Sequence, residues 1–254
     1  MIIPAIALNT IKEAIRDRIL YLLLFFAAVC IICSRLLAIM TVGDRVKIIM
    51  DVGLASLSFF GALMAILLGT GLVYKEIDKK TIFTLLSKPI PRYQFLLGKY
   101  FGLVITLLVM LILMSLIFLL LVFLHTSQFE GRLLLPVFFI FWEMCLITAV
   151  ALLFSCFSTP ILSSLFTLSF YIIGHFSWGL ETLIDKLPSG SGKIAARVFY
   201  TAIPDLENFN FKTEIVHGLA IPVPVLLNSL LYGFFYSGFV LALATLIFRK
   251  RDFI

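Results

Sequence analysis

Six long apolar runs, separated by stretches that hold most of the charged residues, set the pattern of this chain. They cover about 19–40, 52–74, 100–124, 133–157, 160–180 and 223–248. A bilayer core of about 30 Å requires roughly 20 helical residues, so each run is long enough to cross it. The runs are continuously apolar, whereas the strands of a membrane barrel alternate between apolar and polar residues. We therefore predict an all-α polytopic membrane protein with six transmembrane helices in one domain, 1–254.

The overall composition supports this interpretation. Of the 254 residues, 62% are hydrophobic and 13% are charged, whereas a soluble domain is about half apolar and a quarter charged. A core of this size could not hide so much apolar surface from water, and the same composition argues against a disordered chain. The net charge of +6 does not indicate a nucleic-acid partner, because Lys and Arg accumulate on the cytoplasmic side of membrane proteins.

The distribution of basic residues predicts the orientation. With six spans, both termini lie on the same side of the membrane as segment 75–99. This side carries twelve Lys and Arg residues, and the other side carries eight, four of them in the long segment 181–222. Long segments count little in this rule. We therefore predict cytoplasmic termini in the cell (inner) membrane and an extracytoplasmic segment 181–222, which should rest on the outer face and cap the exit of a pathway.

The N-terminal residues 4–18 have the pattern of an amphipathic helix. Their apolar side chains recur every three or four positions, at Leu8, Ile11, Ile15 and Ile19. Such a helix can lie flat on the membrane surface with its basic residues near anionic lipid. A solvated lead-in to the first span is the alternative. Further along, Gly98 and Gly102 form a GxxxG motif that would let another helix approach closely.

Segment 75–99 is the most informative part of the chain. Its first half carries apolar residues among five charged ones, and Lys88-Pro89 should end the short helix that this pattern predicts. Pro91 then forces a bend before the third span. An ordinary connection needs only a few residues, so the length and the apolar side of this segment indicate a docking surface.

Several motifs in and around this segment are recognisable: YKEI at 74–77, KTIFTLLSKPIPR at 80–92 and LGK at 97–99, together with ALLFS at 151–155 and FRKRD at 248–252. With these motifs the chain resembles, over nearly its whole length, the six-span permeases of ABC type-2 transporters. The resemblance is to the branch that includes the permease of nitrous-oxide reductase maturation. In that family the loop between spans two and three holds a coupling helix, which sits in a groove of a separate ATPase subunit.

The resemblance implies a permease subunit of an exporter, which couples ATP hydrolysis by that ATPase to substrate movement. It also implies two ATPase copies and a second permease chain, either identical or related. No cofactor is expected in this chain, because ATP and Mg²⁺ would be bound by the ATPase. The coupling residues that the resemblance indicates are Glu76, Thr81, Leu85, Pro89 and Arg92, with Arg16 and Arg18 beside them.

Two other functions would use six spans. A secondary transporter normally shows inverted repeats, broken helices and more intramembrane charge, features that we do not find in the sequence. A non-transporting membrane anchor or assembly protein would use segment 75–99 to dock a cytoplasmic partner other than an ATPase. This alternative stays open.

Glu143 and His175 are the polar residues that stand out within the predicted spans. Helical rise places them within a turn or two of the same depth. A carboxylate at such a depth is costly unless it is protonated, paired or facing water. Two interpretations are open: a Glu143–His175 pair inside the bundle, or a Glu143 that holds helices together through Ser or Thr hydroxyls.

We find no pattern that predicts a catalytic or metal-binding residue. The stretch PSGSGKI at 188–194 resembles a phosphate-binding loop, but Leu187 stands at the first glycine position and Ile194 replaces the Mg²⁺-binding Ser or Thr. Cys30 and Cys33 could share a helix face, yet a metal site would need further ligands. The chain is therefore expected not to be an enzyme.

Overall fold

The structure is a computed structural model that describes residues 2–40, 44–78, 91–186 and 190–250, with the backbone alone at 72–78, 92 and a few other positions. Every regular element in these ranges is helical, which confirms the all-α polytopic prediction. The α-helices are α1 Ile2–Ile15, α2 Arg18–Met40, α3 Arg45–Asp78, α4 Arg92–Thr126, α5 Leu134–Ser155, α6 Pro160–His175, α7 Ser177–Asp185, α8 Ser191–Ala202, α9 Lys212–Val216 and α10 Val223–Lys250. Gly131–Leu133 and Glu207–Phe209 form short 3-10 helices.

Helices α3 and α5 form the inside of the bundle. In each of them 67% of the apolar span is buried, compared with 22% in α2 and 28% in α10. The other long helices pack around this pair, with α2 and α4 against α3, and α4, α6 and α10 against α5. The outer helices expose large apolar side chains such as Phe25, Leu124 and Phe235. Such a surface suits lipid tails and not water.

The bundle has two faces that are useful as reference points. At the distal face α2 and α4 end and α3 and α5 begin. At the proximal face α3 ends, α4 begins and α5 ends. A small apolar cluster at the proximal face joins α4, α5 and α10, and its rings of Phe95 and Phe248 stack at 5.9 Å.

The fifth predicted span, about 160–180, differs from the structure. Helix α6 ends at His175 after 16 residues, or about 24 Å, and a separate helix, α7, begins at Ser177. In the described part of the chain, five helices are long and apolar enough to cross a membrane, and α6 is a shorter apolar helix. The reason is a tertiary hydrogen bond: the backbone N–H of Leu206 donates to the carbonyl of Gly174, at 3.1 Å.

That hydrogen bond requires a close approach of two backbones. A Cβ on Gly174 would lie 2.6 Å from the carbonyl oxygen of Pro204 and 2.8 Å from Leu206 Cγ. Only glycine leaves space for this approach. In a longer α6 the carbonyl of Gly174 would accept a hydrogen bond from the N–H four residues later, but here it accepts from Leu206.

The distal segment, defined here as residues 203–216, lies across the distal end of the bundle. Its apolar side chains Leu206, Phe209 and Phe211 are buried in the main core. The ring of Phe211 packs edge-on against Phe139 of α5, with 4.6 Å between ring centroids. The segment therefore covers the bundle by inserting side chains into it.

We expect Gly174→Ala to destabilise the protein, because the new methyl group would push against the backbone at Pro204. Overpacking of this kind costs about 1–3 kcal/mol, which corresponds to a fall in Tm of about 2–10 °C for a chain of this size. Thermal unfolding of the purified protein in detergent measures the effect.

Gly238→Ala is the matched control, because nothing lies within 4 Å of the Cβ that it would add. It gains the same helix propensity and should leave Tm unchanged or slightly higher. Equal Tm values for the two variants would contradict the close contact at Gly174.

Candidate functional site

A buried carboxylate marks the centre of the candidate site. Glu143 lies in the third turn of α5, about 14 Å from the helix start at Leu134, and its side chain is only 3% exposed. An ionised or neutral carboxyl group at this depth needs hydrogen-bond partners from the protein, because the bilayer core supplies no water.

Two neighbouring helices supply those partners. His175, the last residue of α6, places Nε2 at 2.9 Å from Glu143 Oε1. Ser58 of α3 donates its hydroxyl to the other oxygen, Oε2, at 3.4 Å. The structure thus contains both arrangements that the sequence left open, a carboxylate–imidazole pair and a hydroxyl contact between helices. Glu143 ties α5 to α3 and to α6 at one point.

The imidazole of His175 has a second carboxylate on its other side. Its Nδ1 lies 3.6 Å from Oε2 of Glu207, in the 3-10 helix of the distal segment. The Tyr171 ring packs edge-on against the imidazole at 4.8 Å. The result is a chain of polar groups that runs from Ser58 in the inner helix pair, through Glu143 and His175, to the distal face.

The distal segment is also held by hydrogen bonds of its own. The hydroxyl of Ser177 donates to Asp205 Oδ1 at 2.6 Å, and the backbone N–H of Asp205 donates to the Tyr232 hydroxyl of α10 at 2.9 Å. Next to these bonds lies a cavity of about 170 Å³, lined by both tyrosines at 200 and 232 and by Asp205. Glu207 therefore projects from a segment that is held by hydrogen bonds at Asp205 before it and by the buried rings of Phe209 and Phe211 after it.

At the proximal face, α1 packs tightly onto α4 through the GxxxG motif. A Cβ on Gly98 would lie 2.7 Å from Ile6 Cβ, and a Cβ on Gly102 would lie 2.6 Å from Thr10 Cβ. The motif at the start of α4 therefore receives the N-terminal helix. Helix α1 buries small residues, Ala7 and its neighbours on that face, against α4.

The apolar stripe predicted for the N-terminal helix is not the face of α1 that packs against α4. Leu8, Ile15 and Ile19 are exposed, so the packing face of α1 consists of Ala7, Thr10 and Ala14. An apolar stripe that points away from the protein suits a helix at a membrane surface, as the sequence predicted.

A charged pair completes the contact of α1 with α4. Lys99 lies inside the GxxxG motif and is fully buried, and its Nζ lies 3.2 Å from Oε2 of Glu13. A buried ammonium group is costly without a carboxylate or other acceptors. This pair was not among the contacts predicted from the sequence. The signal was the lysine between two glycines, since a position that faces a close helix contact cannot face water.

The predicted coupling residues fall in different parts of the structure. Thr81, Leu85 and Pro89 lie outside the described residues. The backbone places Glu76 in the last turn of α3 and Arg92 at the first residue of α4. Both lie within segment 75–99, which was expected to dock an ATPase.

The two basic residues near the N-terminus are described in full. Arg16 and Arg18 are exposed and lie at the bend between α1 and α2, one turn from Glu13. Helix α1 thus brings them to the proximal face, where α4 begins.

In the described ranges there is no group of three or more His, Cys, Asp or Glu residues placed to hold a metal ion.

These features define a polytopic helical membrane protein with a polar cluster in its core and an amphipathic helix fixed to its proximal face. The chain belongs to a family described as ABC-2 family transporter protein, whose family model matches residues 5–252. No curated protein matches the chain. Family membership makes the chain a membrane permease subunit of an ABC transporter, in a family that lacks its own ATPase domain and works with an ABC ATPase.

We expect Glu13→Gln and Lys99→Met each to lower Tm by about 2–10 °C. Each substitution removes one member of a mostly buried charged pair. Breaking a fully buried pair costs about 3–5 kcal/mol. Because Glu13 is one-third exposed, we expect a smaller cost of about 1–3 kcal/mol here. The double variant should lose less than the sum, because the second change removes a group that has lost its partner.

Lys12→Met provides the control, since Lys12 is exposed on the same helix. It should change Tm by less than about 2 °C. Strict additivity of the Glu13 and Lys99 variants would show that the pair does not join α1 to α4.

Proposed function

We propose that the chain is the permease subunit of an ABC type-2 exporter, and that its ATPase docks on segment 75–99. In this proposal ATP and Mg²⁺ bind to the ATPase, and the permease holds no cofactor. The coupling residues are those of the family motif, with Arg16 and Arg18 beside them at the end of α1. Both termini and the docking segment are placed on the cytoplasmic side by the distribution of Lys and Arg.

The observation that carries the proposal is that α3 ends and α4 begins within the docking segment. Helix α3 has 34 residues and α4 has 35, so each is about 50 Å long and extends from the segment to the distal face. Each of these helices is continuous over this length, so a displacement of its proximal end would shift residues further along it. A displacement of segment 79–90 would therefore be transmitted through the whole bundle.

Both helices carry residues whose contacts with charged side chains would change during such a movement. Helix α3 carries Ser58, which bonds to Glu143 in the core. Helix α4 carries Lys99, which is joined to Glu13 of α1. Movement of the ends of α3 and α4 would therefore shift the inner helix pair and α1 together, as a rigid-body transition between two packed states requires.

The finer assignments rest on the sequence. The motif KTIFTLLSKPIPR supports the branch that includes the permease of nitrous-oxide reductase maturation. A transport pathway of useful width needs more helices than one chain supplies. We therefore propose two permease chains, identical or related, with two ATPase copies.

A pull-down from native membranes tests the docking proposal. We expect an ABC ATPase to co-purify with the detergent-solubilised wild-type protein and to be identified by mass spectrometry. The double variant Glu76→Ala, Arg92→Ala should lose at least about nine-tenths of it, which corresponds to about 1.4 kcal/mol of binding free energy.

Arg45→Ala, Arg132→Ala is the matched control. It also removes two charged side chains, but both lie at the distal face, where α3 and α5 begin. It should retain the ATPase at the wild-type level. Equal loss in both double variants would point to general instability and not to a docking site.

The alternative function, a membrane anchor or assembly protein, predicts a different result. Under several mild detergents no ATPase would appear, and another cytoplasmic protein would be lost from the Glu76, Arg92 variant. The apolar side of segment 75–99 is compatible with both functions, so the identity of the captured protein decides between them.

A further inference from the structure

The geometry points to a proton-binding site at the distal face, in which one proton shared by His175 and Glu207 fastens the distal segment to the bundle. This inference does not depend on the docking of an ATPase. It rests on the number of protons that Glu143, His175 and Glu207 must share for both contacts of the imidazole to be attractive.

The argument begins with the two sides of the imidazole. Glu143 Oε1 lies 2.9 Å from Nε2, and Glu207 Oε2 lies 3.6 Å from Nδ1. Ionised carboxylates can only accept hydrogen bonds, and a neutral imidazole has an N–H on one nitrogen only. One of the two carboxylates would then face a lone pair. Both contacts are attractive only when one more proton is present, on the ring or on a carboxyl group.

The two contacts are not equally strong. The Glu143 contact has hydrogen-bond length, and the carboxylate is 3% exposed. The Glu207 contact is longer, at ion-pair distance, and that side chain is 40% exposed. Loss of the extra proton should therefore leave the single ring N–H on the buried Glu143 side. The contact that opens is the one between Nδ1 and Glu207, and the released proton passes to water at the distal face.

Other groups around the imidazole affect how strongly the extra proton is bound. Lys212 of α9 lies close enough to act on His175 electrostatically, and its positive charge opposes protonation of the ring. Ser58 of α3 donates its hydroxyl to the other oxygen of Glu143. Tyr171, which lies on α6 like His175, packs edge-on against the imidazole. The site therefore balances two carboxylates against one ammonium group, and its proton can exchange.

The consequence is mechanical. Glu207 begins the 3-10 helix of the distal segment, next to the bond between Leu206 and Gly174. When the proton is bound, the segment is held at Glu207 as well as by its buried rings. When the proton leaves, the carboxylate faces a ring lone pair, and the backbone at 206–210 should open more often.

Hydrogen–deuterium exchange of the full-length protein in lipid nanodiscs tests this inference. Exchange is followed in peptides that cover 204–211, between about pH 5 and pH 9, with correction for the intrinsic rate. We expect the corrected exchange of the wild type to rise about fivefold as the pH increases, as loss of one partly exposed ion pair predicts. A pH-independent wild type would overturn the proposal.

Glu207→Gln gives the sharpest prediction. The amide can donate to a neutral Nδ1 and can accept from a protonated one, so the contact survives at every pH. The segment should stay protected across the range. If this variant keeps the wild-type rise, the proton is not shared with Glu207 and the proposal fails.

Two further variants separate this site from a purely structural role. His175→Gln should give raised exchange without pH dependence, because its amide does not titrate. Glu214→Gln removes the same charge from α9 of the distal segment and should retain the fivefold rise. Loss of the rise in Glu214→Gln would assign the effect to the net charge of the segment and would overturn the site at His175.

Discussion

The rest of this structure depends on the need of buried charged groups for partners in a bundle without water. Glu143 lies in the middle of one of the two inner helices and Lys99 in a tight helix contact, and both side chains are buried. Each finds its partner on an element outside the inner helix pair. Glu143 is paired with His175 at the end of α6, and Lys99 with Glu13 on α1. The costly groups therefore decide which peripheral elements are fixed to the bundle and where.

This arrangement separates two kinds of stabilisation. The apolar contacts between α3 and α5 hold the inner pair through many small contributions, which tolerate modest shifts. The charged contacts are few, directional and short, and they are strong only in one geometry. A bundle built in this way can keep its core while a peripheral element shifts, because breaking one charged contact weakens the attachment of one element.

The sequence predicted the helices well and the contacts between distant residues less well. The similar depth of Glu143 and His175 followed from helical rise, because both lie in continuous apolar runs. Glu207 could not be placed, because its position depends on the path of the chain after α6. The early end of α6 was hidden as well, since the residues that follow it are apolar and the break is caused by the hydrogen bond from Leu206.

The GxxxG motif also shows that contacts between distant residues are hard to predict from the sequence. The two glycines correctly indicated a close helix contact, but a motif has no information about the helix that fills it. The structure places α1 there, and this changes the meaning of Lys99. A lysine near the proximal face would ordinarily count toward orientation, since cytoplasmic segments are rich in basic residues. Here it is buried by the very helix that the glycines admit, so its charge fixes α1 at the start of α4. Helix α4, whose first turns belong to the docking segment, is thus joined to the N-terminal helix within the chain itself.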